Sequence, residues 1–508
     1  MPLRSPYFYL PTFIVFLRVF FLWKTNFNLI YFESVASTCV SLVSISFIIS
    51  LIIFTIVKPP RKASLLNIFL VCSFFLYGRL FNLIDFVNIL QWDIVTHMLS
   101  LSLLSALLMG CRFFIKETYF RPLLQFISVV CLIVFARSSD FLAHAYYLKH
   151  QLNKAKLENV LSTVEHKDTP VLPDIYYIIL DGYLNNTFLK TCHNFDNSDF
   201  LNTLADEGFH VIEDSQSCYD ATYASLGSTL NMQQIGHTHL RIPEVMKGVH
   251  NNMVAQYLKQ RGYHYTTINT SYSATETSDI ADTQYKIRFG REFLSTALEN
   301  TMFEPWMPTF AEVNLHCLSS LQKASKLQTP KFIFSHITLP HAPYIFNEFG
   351  EQNDPFNMAY ATQIRGKRVF KHKSLTEEEY KNKDSKGYIG QLKFINREIL
   401  KVIDEIKKNS PSEPIIIIQS DHGWRSVGIS KDDPLYNQQA YGILNAWHVP
   451  EKIQKQLPTK MYSVNTFRFL FSELFGENLP PIEAKQYSAL GHDPIGKKQR
   501  WFKEIELY

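Results

Sequence analysis

Five side chains in this sequence have the types and placement for chemistry on an anionic ester: Asp181, Thr222, His341, Asp421 and His422. Asp181 ends the apolar run Ile175–Leu180, and Gly182 follows it. Such a run reads as a strand buried on both faces. A carboxylate at its C-terminal end sits where open α/β sheets place ligands. Asp421-His422-Gly423 follows a second such run, PIIIIQS, at Pro414–Ser420. A third, Lys331–Thr338, leads into LPHAPY with His341, and His336 lies within it. Thr222 opens a small-residue helical pattern through Ala224, Leu226, Gly227 and Leu230. Each residue also has a plain structural explanation. Asp181 and Asp421 suit turns, Thr222 suits a helix N-cap, and a lone histidine is usually structural. Together, carboxylates, imidazole and a hydroxyl oxygen suit one divalent transition ion, zinc or manganese. Such an ion lowers a hydroxyl's pKa and neutralises charge on a transferring phosphoryl oxygen.

The elements that must position these residues alternate. Helices are predicted at Asn197–Gly208, Asn251–Arg261, 376–408 and Val464–Leu474. Shorter strands are predicted at Phe209–Ile212 and Tyr263–Asn269, with an edge strand at Ala440–Ala446. In the long helix, Ile389, Leu392, Ile399, Val402, Ile403 and Ile406 fall on one face. This alternation predicts an α/β domain with a mostly parallel sheet flanked by helices. Residues 271–328 show no clear assignment.

Composition divides the 508 residues. Residues 1–138 are dense in Phe, Leu, Ile and Val and predict about five membrane helices, near 7–23, 33–57, 64–84, 94–115 and 122–138. Residues 139–172 read as a juxtamembrane connector and 173–508 as the catalytic domain. Lys58, Arg61 and Lys62 fill one short loop; Arg112, Lys116 and Arg121 fill another. The alternate loops carry only Lys24, or Asp85 and Asp93. The positive-inside rule then places the N-terminus in the cytoplasm and 139–508 on the outer, periplasmic or extracellular, side of the cytoplasmic membrane. A net charge of +4 gives no sign of a nucleic-acid partner. Of seven cysteines, Cys39, Cys72, Cys111 and Cys131 lie in the apolar third. In an exported domain, Cys192 and Cys218 form the candidate disulfide. Oligomeric state is not legible.

At the chemistry-bearing residues the sequence resembles the sulfatase-like branch of the alkaline-phosphatase superfamily. Within it, the chain is most similar to membrane-anchored lipoteichoic acid synthases and phosphoethanolamine transferases. The resemblance spans most of 173–475 and rests on DGY at 181–183, SCYDATYASLGSTLNM around Thr222, LPHAPY and SDHG, with weaker support from ILNAWHVP and SVNTFRFLF. It implies an alkaline-phosphatase-like fold, Thr222 as nucleophile and metal ligand, Asp181, Asp421 and His422 as further ligands, and His341 in the substrate pocket. The implied reaction moves a phospho-alcohol headgroup, phosphoethanolamine or phosphoglycerol, from a phospholipid to a glycan or lipid acceptor. Hydrolysis of a phosphodiester or sulfuric ester at the same site is the alternative, and an inactive sensor or scaffold a second. The first ligand is Asp where the nearest groups often have Glu. Cys218 lacks the Pro and Arg of the formylglycine motif, so sulfatase chemistry of that kind is not expected.

The charged loops generate a test of topology. A reporter fused near residue 150 is expected to report export, and a cytoplasmic signal would reverse the orientation.

Overall fold

The computed structural model describes residues 6–27, 32–58, 60–86, 117–136, 172–236, 242–299, 306–353, 377–424, 434–489 and 502–505, with a few isolated residues besides. It divides into two units, Met1–Lys154 with Glu292–Met307, and Ala155–Arg291 with Pro308–Tyr508.

In the first unit, helices run over Leu10–Thr25, Phe32–Ile56, Pro60–Phe86 and Glu117–Ala136. Among the described residues, Phe32–Ile56 is the one helix long and apolar enough to cross a membrane. Its Val40, Ile45, Ile48 and Ile52 are exposed, as are Phe126 and Ile133 on the last helix. A further helix, Glu292–Leu298, belongs to this unit, with Phe293 buried among Val19, Ile30 and Val35. The unassigned stretch of sequence therefore contains an excursion out of the second unit's core. The expected span at 94–115 and nearly all of 139–172 lie outside the described residues.

The second unit is built on strands β1 (Ile175–Leu180), β2 (His210–Val211), β3 (Asp214–Gln216), β4 (His264–Ile268), β5 (Thr283–Tyr285), β6 (Lys331–Ile337), β7 (Ile415–Gln419), β8 (Asn445–His448), β9 (Lys460–Tyr462), β10 (Gln486–Ala489) and β11 (Phe502–Ile505). Seven form one sheet in the order β2-β8-β7-β1-β6-β4-β5. The β7-β1-β6-β4-β5 run is parallel, and β8 is antiparallel to both its neighbours. The sheet is thus mostly parallel and flanked by helices, as the sequence predicts.

Alternation along β1 builds both cores. Tyr176, Ile178 and Leu180 pack with Leu392, Ile399, Val402, Ile403 and Ile406 of the Glu377–Asn409 helix. Ile175, Tyr177 and Ile179 face the other side, with Leu226, Val254, Leu258, Phe467 and Phe471. The predicted edge strand needs correction. Residues 434–441 are helical, and the strand begins at Asn445. It lies between β2 and β7, inside the edge. Trp447 and Ala446 on opposite faces supply the two-sided burial that an inner strand requires. The candidate disulfide is absent as well. Cys192 and Cys218 are free thiols, Cys192 half-buried and Cys218 enclosed near Val464, Ser463 and Gln234.

At the N-terminal ends of β1 and β6, Lys331 Nζ pairs with Asp174 Oδ2 at 2.8 Å, both side chains fully buried. Removing one partner leaves an uncompensated buried charge. Lys331→Met is expected to cost about 3–5 kcal/mol in chemical denaturation of the detergent-solubilised chain. Metal content of the folded fraction should not change, because the pair lies at the far end of the strands from the candidate site.

Candidate metal and nucleophile site

Strand register brings the site together. In the adjacent parallel strands β6, β1 and β7, Ile179 pairs with His336 on one side and Gln419 on the other. The strands therefore end at one level. Asp181 follows β1 directly, Ser420-Asp421-His422 follows β7, and the loop after β6 carries His341. The turns are cross-tied. Asp181 N donates to Ile337 O, and His341 N donates to Asp181 O. Asp421 Oδ1 accepts from Gly182 N at 3.1 Å, and Ser420 Oγ accepts from Tyr183 N at 2.8 Å. Gly182 has φ +70°, which disfavours a side chain. At Gly423 a Cβ would come within 1.9 Å of Gln439 O, so the turn after His422 admits only glycine.

The five expected side chains lie together, four of them in direct approach to His422 or Asp181 and His341 slightly farther out. His422 Nε2 lies 3.3 Å from Thr222 Oγ1, 3.5 Å from Asp181 Oδ1 and 3.5 Å from Asp421 Oδ2. Ligand atoms of Asp181, His341 and His422 fall within 4.8 Å of one another. The Nδ1 atoms of both histidines face backbone carbonyls, Ala342 O and Gly423 O, each at 2.7 Å. That contact makes Nδ1 a donor in each ring and leaves Nε2 as the nitrogen available to the site.

Thr222 is not a helix cap. Ala221 occupies the N-cap position of the Thr222–Thr229 helix, and no side chain caps it. The Thr222 hydroxyl, the first helical residue's, instead faces His422.

His336 lies within β6 and joins the site, a contact that its place inside an apolar strand does not announce. Its Nε2 is 3.3 Å from Asp181 Oδ2, and its Nδ1 is 3.1 Å from Thr275 Oγ1. Its spacing from His341 along FSHITLPH was the available signal. Burial opposes ionisation of Asp181, but the imidazoles of His341, His336 and His422 outweigh it and hold the carboxyl well below the usual carboxylate range.

The donor set fits a divalent cation. Asp181 Oδ1, His336 Nε2 and Asp421 Oδ2 are buried with no hydrogen-bond partner. Orphaned buried groups are costly. Two groups sharing Asp181 have ligand atoms within 4.8 Å of one another, Asp181 with His341 and His422, and Asp181 with His336 and Asp421; carboxylate and imidazole donors so grouped suit an ion bound through oxygen and nitrogen. Asp421→Ala is expected to abolish bound metal, measured by plasma mass spectrometry of the purified chain. The melting temperature of metal-free protein should fall little, since the change removes one accepted hydrogen bond, worth about 1 kcal/mol. Full metal occupancy in that variant would refute the site.

The sulfatase family model matches residues 177–467, which include all five expected residues. A search of curated proteins finds no match. Solved structures of similar fold include the C-terminal periplasmic domain of EptC from Escherichia coli, with TM-score 0.40 and 15% identity over 65% of this chain and 92% of that one. The lipooligosaccharide phosphoethanolamine transferase EptA from Neisseria meningitidis has TM-score 0.42 and 10% identity over 75% of this chain and 69% of that one. A phosphonate monoester hydrolase from Silicibacter pomeroyi has TM-score 0.40 and 13% identity over 61% and 74%. The sequence match spans more than half of the chain and takes in most of β1 with the whole of the Thr222 helix, β6 and β7. The chain belongs to the sulfatase family.

Proposed function

We propose that this sulfatase-family enzyme transfers a phospho-alcohol headgroup from a phospholipid to a glycan or lipid acceptor of the cell envelope, through a phospho-threonine at Thr222. The observation that carries the reading is the Thr222 hydroxyl. It is 8% exposed, caps no helix and points at the cluster of Asp181, Asp421 and His422. Those four residues would hold one divalent ion, zinc or manganese, which on binding would acidify the hydroxyl and neutralise phosphoryl charge.

Thr222 Oγ1 attacks phosphorus in line, and the bond to the leaving diacylglycerol oxygen breaks. His341 is half-buried with Nδ1 facing Ala342 O, which leaves its other ring nitrogen to the reaction, and its ring lies 5.9 Å from that of His422. That nitrogen holds or supplies the proton for the leaving oxygen. An acceptor hydroxyl then gives its proton back to that nitrogen and attacks the phospho-threonine, and the bond to Thr222 Oγ1 breaks to release Thr222 as the alkoxide that began the cycle. Catalysis is chiefly positioning and charge stabilisation, as phosphoryl transfer requires. Resolution of the same intermediate by water would make the enzyme a phosphodiesterase.

The membrane setting completes the proposal. Residues 1–138 would form a multi-pass anchor in the cytoplasmic membrane, 139–172 a connector, and 173–508 the catalytic domain on the outer side, beside the lipid donor. The apolar outward face of Phe32–Ile56 supports a lipid environment.

Intact-mass analysis after incubation with defined phospholipids is expected to show a headgroup adduct on wild-type protein and none on Thr222→Ala. Turnover of the Ala variant should fall by several orders of magnitude. Its stability should change by less than about 1 kcal/mol, because no cap is lost and alanine is a better helix former than threonine. Thr222→Ser keeps the hydroxyl but frees its rotamer, so reduced activity should remain. Near-normal turnover in the Ala variant would remove the mechanism.

A further inference from the structure

One face of the Glu377–Asn409 helix runs from the candidate site to a buried carboxylate that the reaction leaves unused. Asp384, Tyr388 and Gln391 lie on that face at i, i+4 and i+7 spacing, and all are buried. Gln391 Nε2 donates to the carbonyls of Pro340, His341 and Pro343, fixing the His341 loop. Tyr388 donates to Gly182 O at 2.9 Å and accepts from Leu184 N at 3.0 Å, beside Asp181. One turn further, about 6 Å along the helix, stands Asp384.

Asp384 is 1% exposed, and neither of its oxygens has a hydrogen-bond partner. Among the described residues it forms no ion pair. Burial dominates and pushes the carboxyl up to about 7, against a smaller opposing effect of the nearby Tyr344 hydroxyl. Aromatic rings surround this end of the helix. Tyr344 and Tyr388 have centroids 6.1 Å apart, Tyr388 and Trp424 5.8 Å, and His193 and Trp424 4.4 Å. Trp424 Nε1 donates to Tyr344 Oη at 2.8 Å, and His193 Nδ1 meets Ser385 Oγ at 2.7 Å. Trp424 is two residues past His422, so the aromatic group borders the nucleophile site.

A buried carboxylate without a partner costs stability. Aromatic faces next to a carboxylate form the usual environment for an organic cation: the rings offer their negative faces, and the carboxylate offers the counter-charge. An anion would be repelled, and a neutral glycerol would leave the carboxylate unpaired. We propose that Asp384, with Tyr344, Tyr388 and Trp424, binds the ammonium group of the substrate's alcohol, and so selects an amino-alcohol phosphoester over a phosphoglycerol one. This rests on the proposed function, since it assigns the headgroup for the reaction at Thr222. In this arrangement the ammonium donates to Asp384 while the phosphoryl group is held at Thr222.

Calorimetry on the full-length Thr222→Ala chain, which forms no adduct, tests the subsite apart from turnover. The probes are O-phosphoethanolamine, O-phosphocholine and glycerol 3-phosphate. Phosphoethanolamine is expected to bind more tightly than glycerol 3-phosphate. Adding Asp384→Asn should weaken it by about tenfold or more, the scale of losing a desolvated charge pair, and should leave glycerol 3-phosphate within about twofold. Phosphocholine tells a primary from a quaternary ammonium site; loss of its binding alone on Asp384→Asn would place the site in the quaternary class. The Asn variant should melt at the same temperature or higher, because it removes an unpaired buried charge. Equal affinities of the three probes, or binding indifferent to Asp384→Asn in a folded variant, would overturn the subsite. Absence of a Thr222 adduct from both phosphatidylethanolamine and phosphatidylglycerol in wild-type protein would overturn the reaction instead, with the calorimetry still deciding the subsite.

Discussion

The site depends on three adjacent parallel strands ending at one level. β6, β1 and β7 keep a register in which Ile179 stands between His336 and Gln419. The next residues along each chain must then leave the sheet side by side. A slip of one residue in any of the three would turn its side chains to the other face. Register is strongly specified here because both faces of β1 are buried, in two separate cores. The apolar runs that make the core thus also fix where the carboxylates stand.

That convergence concentrates charge. Asp181 and Asp421 are 6% and 1% exposed, and a pair of carboxylates so placed would protonate or separate without compensation. The fold supplies compensation in layers. Gly182 N binds one oxygen of Asp421, and three imidazoles favour ionised Asp181. One oxygen of each carboxylate still lacks a hydrogen bond. The polar groups committed to backbone contacts are those that set orientation, and the atoms left over are those that face the common centre.

Much of this was legible because it is local. Ile175–Leu180, Lys331–Thr338 and Pro414–Ser420 announce buried strands by composition, and the structure has them as β1, β6 and β7 within a residue or so. Asp181, Asp421, His422 and His341 follow from strand ends, and Thr222 from its helix pattern. What was illegible depends on tertiary context. The cap at Ala221 rather than Thr222 is decided by a hydroxyl turning to His422 two hundred residues away. His336 reads as a core residue because it lies inside an apolar strand, and only the β1 register puts it against Asp181. The helix at 434–441 carries no apolar stripe, so Ala440 and Tyr441 pass for strand although Asp433-Pro434 marks a helix start in the sequence. Glu292–Met307 leaves one unit for the other, and no local composition marks that exchange.

The long helix shows the same principle in a different element. Its apolar stripe, from Leu392 to Ile406, needs nothing beyond the 3.6-residue period to be recognised. Asp384, Tyr388 and Gln391 continue one face toward its N-terminus but change its chemistry. Read by periodicity, they are polar intrusions on a buried face, a conflict that ordinary packing does not favour. Two of the three have evident partners: Tyr388 ties to Gly182 and Leu184, and Gln391 ties to the His341 loop. A helix half devoted to the core and half to holding the loops after β1 and β6 has little reason to retain an unpartnered acid at the end of the second half. Natural proteins break local rules chiefly where function needs it, and Asp384 is the residue on this face whose violation nothing within the described structure repairs.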